Sequence, residues 1–195
     1  MGEPRRAGPC RDPTEGELPW QVYTSLAYGA QGLMYLTHFL PPRQPSIHFE
    51  DAIIRHDGTR DRKYRIVKRI NAEVNALAST LLHPTSTNVY HVGPGAQVPL
   101  GASGPPRGAL VPSTSAGHLV VGEFTDGQGM RCLLLANASW SAPCAGDVAF
   151  SVTLKGLAEV PKVSGHALAW RNPPTDGRLR GRNLAAGDGR LYALT

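Results

Sequence analysis

Apolar positions recur at two different spacings along the chain, and the change of spacing divides it. Leu18, Val22, Leu26 and Ala30 return every fourth residue, which predicts one stripe of a helix. Asp12-Pro13-Thr14-Glu15 precedes the stripe and reads as a helix start, with Asp12 as N-cap, Pro13 at the first helical position and Glu15 reaching back. Pro19 falls one turn later, where it should bend the first turn, and Gly29 and Gly32 mark the end. Leu33-Met34-Tyr35-Leu36-Thr37-His38-Phe39 is then almost continuously apolar, the pattern of a strand buried on both faces in a parallel sheet, and Pro41 and Pro42 stop it. After a loop to Thr59, Tyr64, Val67, Ile70, Val74, Leu77 and Leu81 predict a second helix, with Arg62, Arg65, Lys68, Arg69 and Glu73 on its wet side.

Residues 94–117 change character. Pro94, Pro99, Pro105, Pro106 and Pro112 lie among Gly, Ser and Ala, which is linker composition and suggests a domain boundary. Beyond it the period becomes two. His118 to Phe124, the turn Asp126-Gly127-Gln128-Gly129 and Met130 to Ala136 read as a hairpin, and Val148, Phe150, Val152 and Leu154 alternate as an amphipathic strand. Gly165 to Trp170 and Arg190 to Leu194 bring the antiparallel set to about five strands, enough for a small sandwich. The expected organisation is therefore an α/β segment over 1–93, a Pro/Gly-rich linker over 94–117 and an antiparallel β-sandwich over 118–195.

Composition adjusts this picture only at the margins. With 41% hydrophobic residues the chain can build a core, and its 22 glycines and 17 prolines cluster between periodic segments, so they signal turns more than disorder. The net charge of +5 allows an anionic partner. Yet the basic residues are scattered, and the densest group, Arg171, Arg178, Arg180 and Arg182, lacks interleaved aromatics and reads as a solvated loop, so no nucleic-acid partner is expected. Cys10, Cys132 and Cys144 are widely spaced, which suggests neither a disulfide framework nor a zinc knuckle; Cys132 should pack inside a strand. The N-terminus lacks the apolar core of a signal peptide and no stretch is long enough to span a bilayer, so no membrane partner is expected; a cytoplasmic location follows if the chain is complete, with a secreted or periplasmic parent as the alternative.

The chemistry-bearing residues are sparse. No hydrolase elbow, zinc-binding H-E-x-x-H, Walker loop or dinucleotide fingerprint occurs, and neither a cofactor nor a metal is expected. His83 and His91 flank a helix end and a strand-like run, where a helix-dipole partner is the simpler role. Trp20 and Tyr28 fall on helix faces as packing residues. Trp140 beside Asn137-Ala138-Ser139 suggests an exposed loop, with a sugar platform or a glycosylation acceptor as the sharper options.

Arg11-Asp12-Pro13-Thr14-Glu15, Ala27-Tyr28-Gly29-Ala30 and Gly32-Leu33-Met34-Tyr35-Leu36-Thr37 resemble the final turn of barrels in the glycoside hydrolase superfamily, especially β-galactosidase-like and cellulase-like members. Ala52-Ile53-Ile54-Arg55-His56-Asp57-Gly58 and Ile70-Asn71-Ala72-Glu73-Val74, leading to Thr87-Asn88-Val89-Tyr90-His91, look like the family's last loop and closing helix. The segments from Leu119 to Phe124 and from Gly187 to Leu191 are similar to the β-sandwich that often follows such barrels. The resemblance implies that Leu33 to Phe39 is the eighth barrel strand and that the catalytic carboxylates, at the ends of the fourth and seventh strands, lie before Met1. No catalytic residue carries over. Glu50 and Asp51 are adjacent in a loop and are not placed to face each other across a glycosidic bond. The mouth of the strand supplies the candidate substrate-binding residues: His38, Phe39, His48 and Glu50, with Phe49 beside them.

The expectation is thus α/β followed by all-β, comprising the last strand-helix unit of a (β/α)8 barrel and a small antiparallel β-sandwich. The function expected is that of the C-terminal part of a carbohydrate-active, glycoside hydrolase-like protein, inactive alone, whose partners are the missing N-terminal barrel portion and, through it, carbohydrate. Two alternatives stand beside it. One is a stand-alone β-sandwich binding a glycan or protein, with residues 1–93 as a helical arm; the other is a basic nucleic-acid adaptor.

Overall fold

The structure is a computed structural model that describes residues 12–42, 52–94, 96, 98–114, 117–139, 148–153, 160–164, 167–171 and 178–194. Helix α1 spans Glu17–Ala27, later than Asp12 would start it. Pro19 gives the reason. A residue without an N–H fits only the first turn of a helix, where no intrahelical donor is needed, so the helix begins just ahead of it. Glu17, not Glu15, reaches back, accepting the Thr14 N–H at 2.7 Å, while Asp12 pairs instead with Arg62 at 2.8 Å and with Lys63. The far end is a Schellman closure. Gly29 takes φ of 87°, its N–H bonds to the Leu26 carbonyl and that of Ala30 to the Ser25 carbonyl.

Helix α2 spans Arg62–Leu81, as the spacing predicts, and Asp61 caps it by accepting the Lys63 N–H at 3.1 Å. Val67, Ile70 and Leu77 are buried, whereas Arg62, Arg65, Lys68 and Arg69 are exposed.

Eight strands follow among the described residues: β1 (Thr85–Val92), β2 (Leu119–Thr125), β3 (Arg131–Asn137), β4 (Val148–Thr153), β5 (Val160–Ser164), β6 (Ala167–Arg171), β7 (Arg178–Leu184) and β8 (Gly189–Leu194). Six form one antiparallel sheet in the order β1-β2-β3-β8-β5-β6, and β4 pairs with β7 in a second. The β2–β3 hairpin falls where the alternation put it. Its turn is held by the Asp126 carboxylate, which accepts the N–H groups of Gln128 at 2.9 Å and Met130 at 2.7 Å. Of the arginines read as a loop, Arg171 ends strand β6 and Arg178, Arg180 and Arg182 lie in strand β7.

The large sheet is covered on both sides, which explains why β2 and β3 are buried along almost their whole length. Val120, Phe124, Cys132, Leu134, Ala136 and Leu191 meet Val22, Tyr23, Leu26, Ala27, Ile70 and Leu77 of the two helices. On the other side Tyr90, Leu119, Val121, Leu133, Leu135 and Tyr192 meet Ala109, Leu110, Val111 and Leu184. Helix α1 approaches so closely that a Cβ on Gly122 would lie 2.4 Å from the Ala27 carbonyl oxygen. The helices are therefore a layer of the sheet's core and not an arm.

The stretch 94–117 departs from its composition. Ala109, Leu110 and Val111 are buried, and Glu123 pins them to the sheet. One carboxylate oxygen of Glu123 accepts the Tyr90 O–H at 2.7 Å and the Leu110 N–H at 2.8 Å, and the other accepts an Asn88 amide N–H at 3.1 Å. The Tyr90 oxygen in turn accepts the Val111 N–H at 3.0 Å. Burial and the bond to Glu123 raise the Tyr90 phenol well above its ordinary range. Strand β1, on the helical side of the expected boundary, is the edge strand of the large sheet.

Leu33 to Phe39 is the clearest departure. It is not a strand buried on both faces. Leu33 and Tyr35 pack against the helical core, but Met34, Leu36 and Phe39 are 94, 88 and 63% exposed. Its one β-bridge among the described residues is a parallel contact of Phe39 with Ile54.

Candidate functional site

The end of this apolar run carries the residues that sequence reasoning selected. His38 and Phe39 are both exposed, and their rings meet edge-to-face with centroids 4.9 Å apart and planes at 80°. The backbone beneath them is fixed: the Ile54 N–H donates to the His38 carbonyl at 2.9 Å and the Leu40 N–H to the Ile54 carbonyl at 3.0 Å. Ile54 belongs to a short loop closed by Arg55 N–H to Thr59 carbonyl and Asp61 N–H to Ile53 carbonyl bonds, so the run's end is anchored to the start of α2. Asp61, the cap of α2, also accepts from Arg55 at 2.8 Å. Burial would raise its carboxyl, but the Lys63 N–H and the Arg55 guanidinium outweigh that and hold it low. Nearer the start of the run, Tyr35 donates to the Asn71 side chain at 2.8 Å. The Thr37 hydroxyl is buried and has no hydrogen-bond partner among the described residues.

His48 and Glu50, the other two candidates, lie outside the described residues, as do Phe49 and Asp51. What the structure brings together is therefore His38 with Phe39. An exposed aromatic edge of this kind offers stacking area and a polar ring nitrogen, which suits contact with a ligand more than bond cleavage. No group of three His, Cys, Asp or Glu side chains among the described residues is placed to hold a metal ion. Cys132 is fully buried and its thiol is pushed up to about 11, chiefly by burial, which leaves it in the unreactive protonated form.

Other sites resolve differently from expectation. Asn137 is fully buried in β3, where its amide donates to the carbonyls of Leu184 at 2.9 Å and Ala185 at 3.1 Å and its oxygen accepts the Ser139 N–H. Its side chain is spoken for, so it is no exposed glycosylation acceptor; Trp140 lies outside the described residues. His91 partners a helix end through a side chain and not through the helix dipole, since its contact is the hydroxyl of Tyr28, the C-cap of α1. It sits buried in β1, between Tyr28 at 3.1 Å and His118 at 2.8 Å. That cluster and the Glu123 network are polar centres sequence reasoning missed, because their members are far apart in the chain and meet only through tertiary packing of α1, the 109–111 segment, β1 and β2.

A third polar centre ties the helices to the sheet. Tyr23 donates to Glu73 at 2.5 Å, and Arg69 bridges Glu73 at 3.1 Å and Asp188 at 3.3 Å. Burial pushes the Asp188 carboxyl up despite the Arg69 charge, and pushes the Tyr23 phenol up still further. Each member is engaged in holding α1, α2 and the approach to β8 together.

These features define a mixed α/β protein in which two helices cover one face of an antiparallel sheet. No family model matches the chain, and neither a curated protein nor a solved structure does. Among the described residues no helix is long and apolar enough to cross a membrane.

Proposed function

We propose that this chain is the C-terminal part of a carbohydrate-active (β/α)-barrel protein of the glycoside hydrolase type, catalytically incomplete alone, in which Leu33 to Phe39 serves as the closing strand. The observation that supports this reading is the half-covered run itself. Leu33 and Tyr35 pack inward on the helices, while Met34, Leu36 and Phe39 project outward into solvent. A parallel strand of a barrel is apolar on both faces because neighbours and cover supply the second face. In this reading His38 and Phe39 stand at the mouth of the strand, where an aromatic ring meets a sugar, and carboxylates on other strands carry out hydrolysis.

The coding sequence upstream of Met1 tests the proposal. An in-frame extension of roughly 200 residues with alternating strand and helix patterns supports it, and a stop codon with a ribosome site immediately before Met1 overturns it. In solution, the 195-residue chain should self-associate and bind a hydrophobic dye, and the double substitution Met34→Lys, Leu36→Lys should abolish both without lowering the unfolding midpoint. A dye-silent wild-type monomer that unfolds cooperatively contradicts the missing-neighbour argument. Hydrolysis of nitrophenyl glycosides by this chain alone would show a complete carboxylate pair within it and defeat the claim of incompleteness.

A further inference from the structure

A second centre, independent of the barrel reading, lies at the C-terminal end of α1. Tyr28, which closes α1, His91 in β1 and His118, just before β2, form one hydrogen-bonded chain. His91 Nε2 lies 3.1 Å from the Tyr28 hydroxyl, and its Nδ1 lies 2.8 Å from His118 Nε2, the two imidazole centroids being 5.1 Å apart. His91 is 6% exposed and His118 half-buried.

Counting protons shows what this arrangement tolerates. With both rings neutral, one of the two facing nitrogens carries a proton and the other accepts it, and the far nitrogen of His91 takes the complementary role toward Tyr28. One added proton is accommodated. His118 becomes a cation donating to His91 Nδ1, and His91 Nε2–H donates to the Tyr28 oxygen. A second proton is not accommodated. Both facing nitrogens would then bear hydrogens, leaving two cations in contact with no acceptor between them.

We propose that the Tyr28–His91–His118 chain is an acid-labile clasp that fastens the end of α1 to the β1 edge of the sheet and opens when both imidazoles are protonated. Among the described residues, the groups facing the pair supply nothing to offset the second charge. From α1 the group facing His91 is the Tyr28 hydroxyl; from β2 the residue opposite it is Val120; and from the segment beyond β1 the Ser103 carbonyl is already taken by the His91 backbone N–H. Glu123 is the acidic residue of β2, and its two oxygens are engaged by Tyr90, Asn88 and Leu110. His83, at the end of α2, is exposed and outside the chain of bonds. Burial holds both imidazoles below their ordinary value, and for His118 the neighbouring His91 adds to it. The sign follows: the clasp is intact above the ordinary histidine value of about 6.5 and is lost as the pH falls through the lowered folded-state values.

Hydrogen exchange on the whole 195-residue chain, at pH 7 and pH 5 and corrected for intrinsic rates, tests this, with β3 amides as the internal reference. Amides at the end of α1 and in β1 should lose protection relative to β3 on acidification, by about tenfold for each pH unit below the ordinary histidine value of about 6.5 if opening takes up one additional proton. His118→Asn keeps a hydrogen-bonding partner for His91 but removes the second charge, and should abolish most of that loss. Unchanged relative protection between the two pH values, or the same loss in His118→Asn, overturns the clasp. Should that variant fail to fold, an NMR titration of the wild-type imidazoles decides: two separated steps below the ordinary value support it, and coincident titration near the ordinary value refutes it.

Discussion

Two runs of the chain look alike as sequence and fare oppositely in the structure. Leu33 to Phe39 and Cys132 to Ala136 are both almost unbroken apolar stretches. The second sits in the middle of the large sheet, paired with β2 and β8, with one face on the helices and the other on Tyr90, Val111 and Leu184, and all its side chains are buried. The first has the helices on one face, a single bridge at its end among the described residues and solvent on Met34 and Leu36. Apolar composition states only that both faces can be covered. Whether they are depends on which neighbours the rest of the polypeptide brings.

The largest test of that contrast is Leu134→Ala, which removes a side chain buried under both helices and should cost about 2–5 kcal/mol in denaturant unfolding. Glu123→Ala should cost about 1–3 kcal/mol by leaving the Leu110 N–H and the Tyr90 hydroxyl buried without their acceptor, and it should expose residues 109–111 to proteolysis. Asp61→Ala removes the cap of the helix beneath the apolar run and should cost about 0.5–2 kcal/mol. Because its folded-state carboxyl is held low, that contribution is present above the ordinary carboxylate value of about 3.9 and is lost as the pH falls through the lower folded value, so wild type and Asp61→Ala should converge in acid. The smallest effect belongs to Leu36→Ala, which should change stability by less than about 0.5 kcal/mol. A cost near that of Leu134→Ala would show that Leu36 is covered in solution and would erase the distinction between the two runs.

What could be read in advance follows the range of the interaction. Helix α2 is legible because its spacing of three and four is a local signal, and the β2–β3 hairpin because Asp126-Gly127-Gln128-Gly129 is a complete turn in four residues. The start of α1 was misplaced because a good capping sequence at Asp12 conflicts with Pro19, and the proline rules. Strand β1 was seen only as a strand-like run, since Thr85 to Asn88 is polar, and β7 was hidden by arginine, glycine and asparagine. Three apolar residues, Ala109 to Val111, were masked by the prolines on either side of them. Of the candidate residues, His38 and Phe39 are adjacent in the chain, so their ring contact is local. His91 and His118 left no trace at their separation of 27 residues, because only the β1–β2 register brings them together.

The order of strands in the large sheet also governs how the polypeptide assembles during synthesis. Strand β8 lies between β3 and β5, so the β5–β6 hairpin, made earlier, has no place in the sheet until β8 has emerged from the ribosome. The β1–β2–β3 meander can form while translation continues, but its β3 edge stays open until the chain from Ala138 to Asp188 has been made and Gly189 arrives to start β8. During that window a chaperone or a neighbouring nascent chain competes for the same backbone groups.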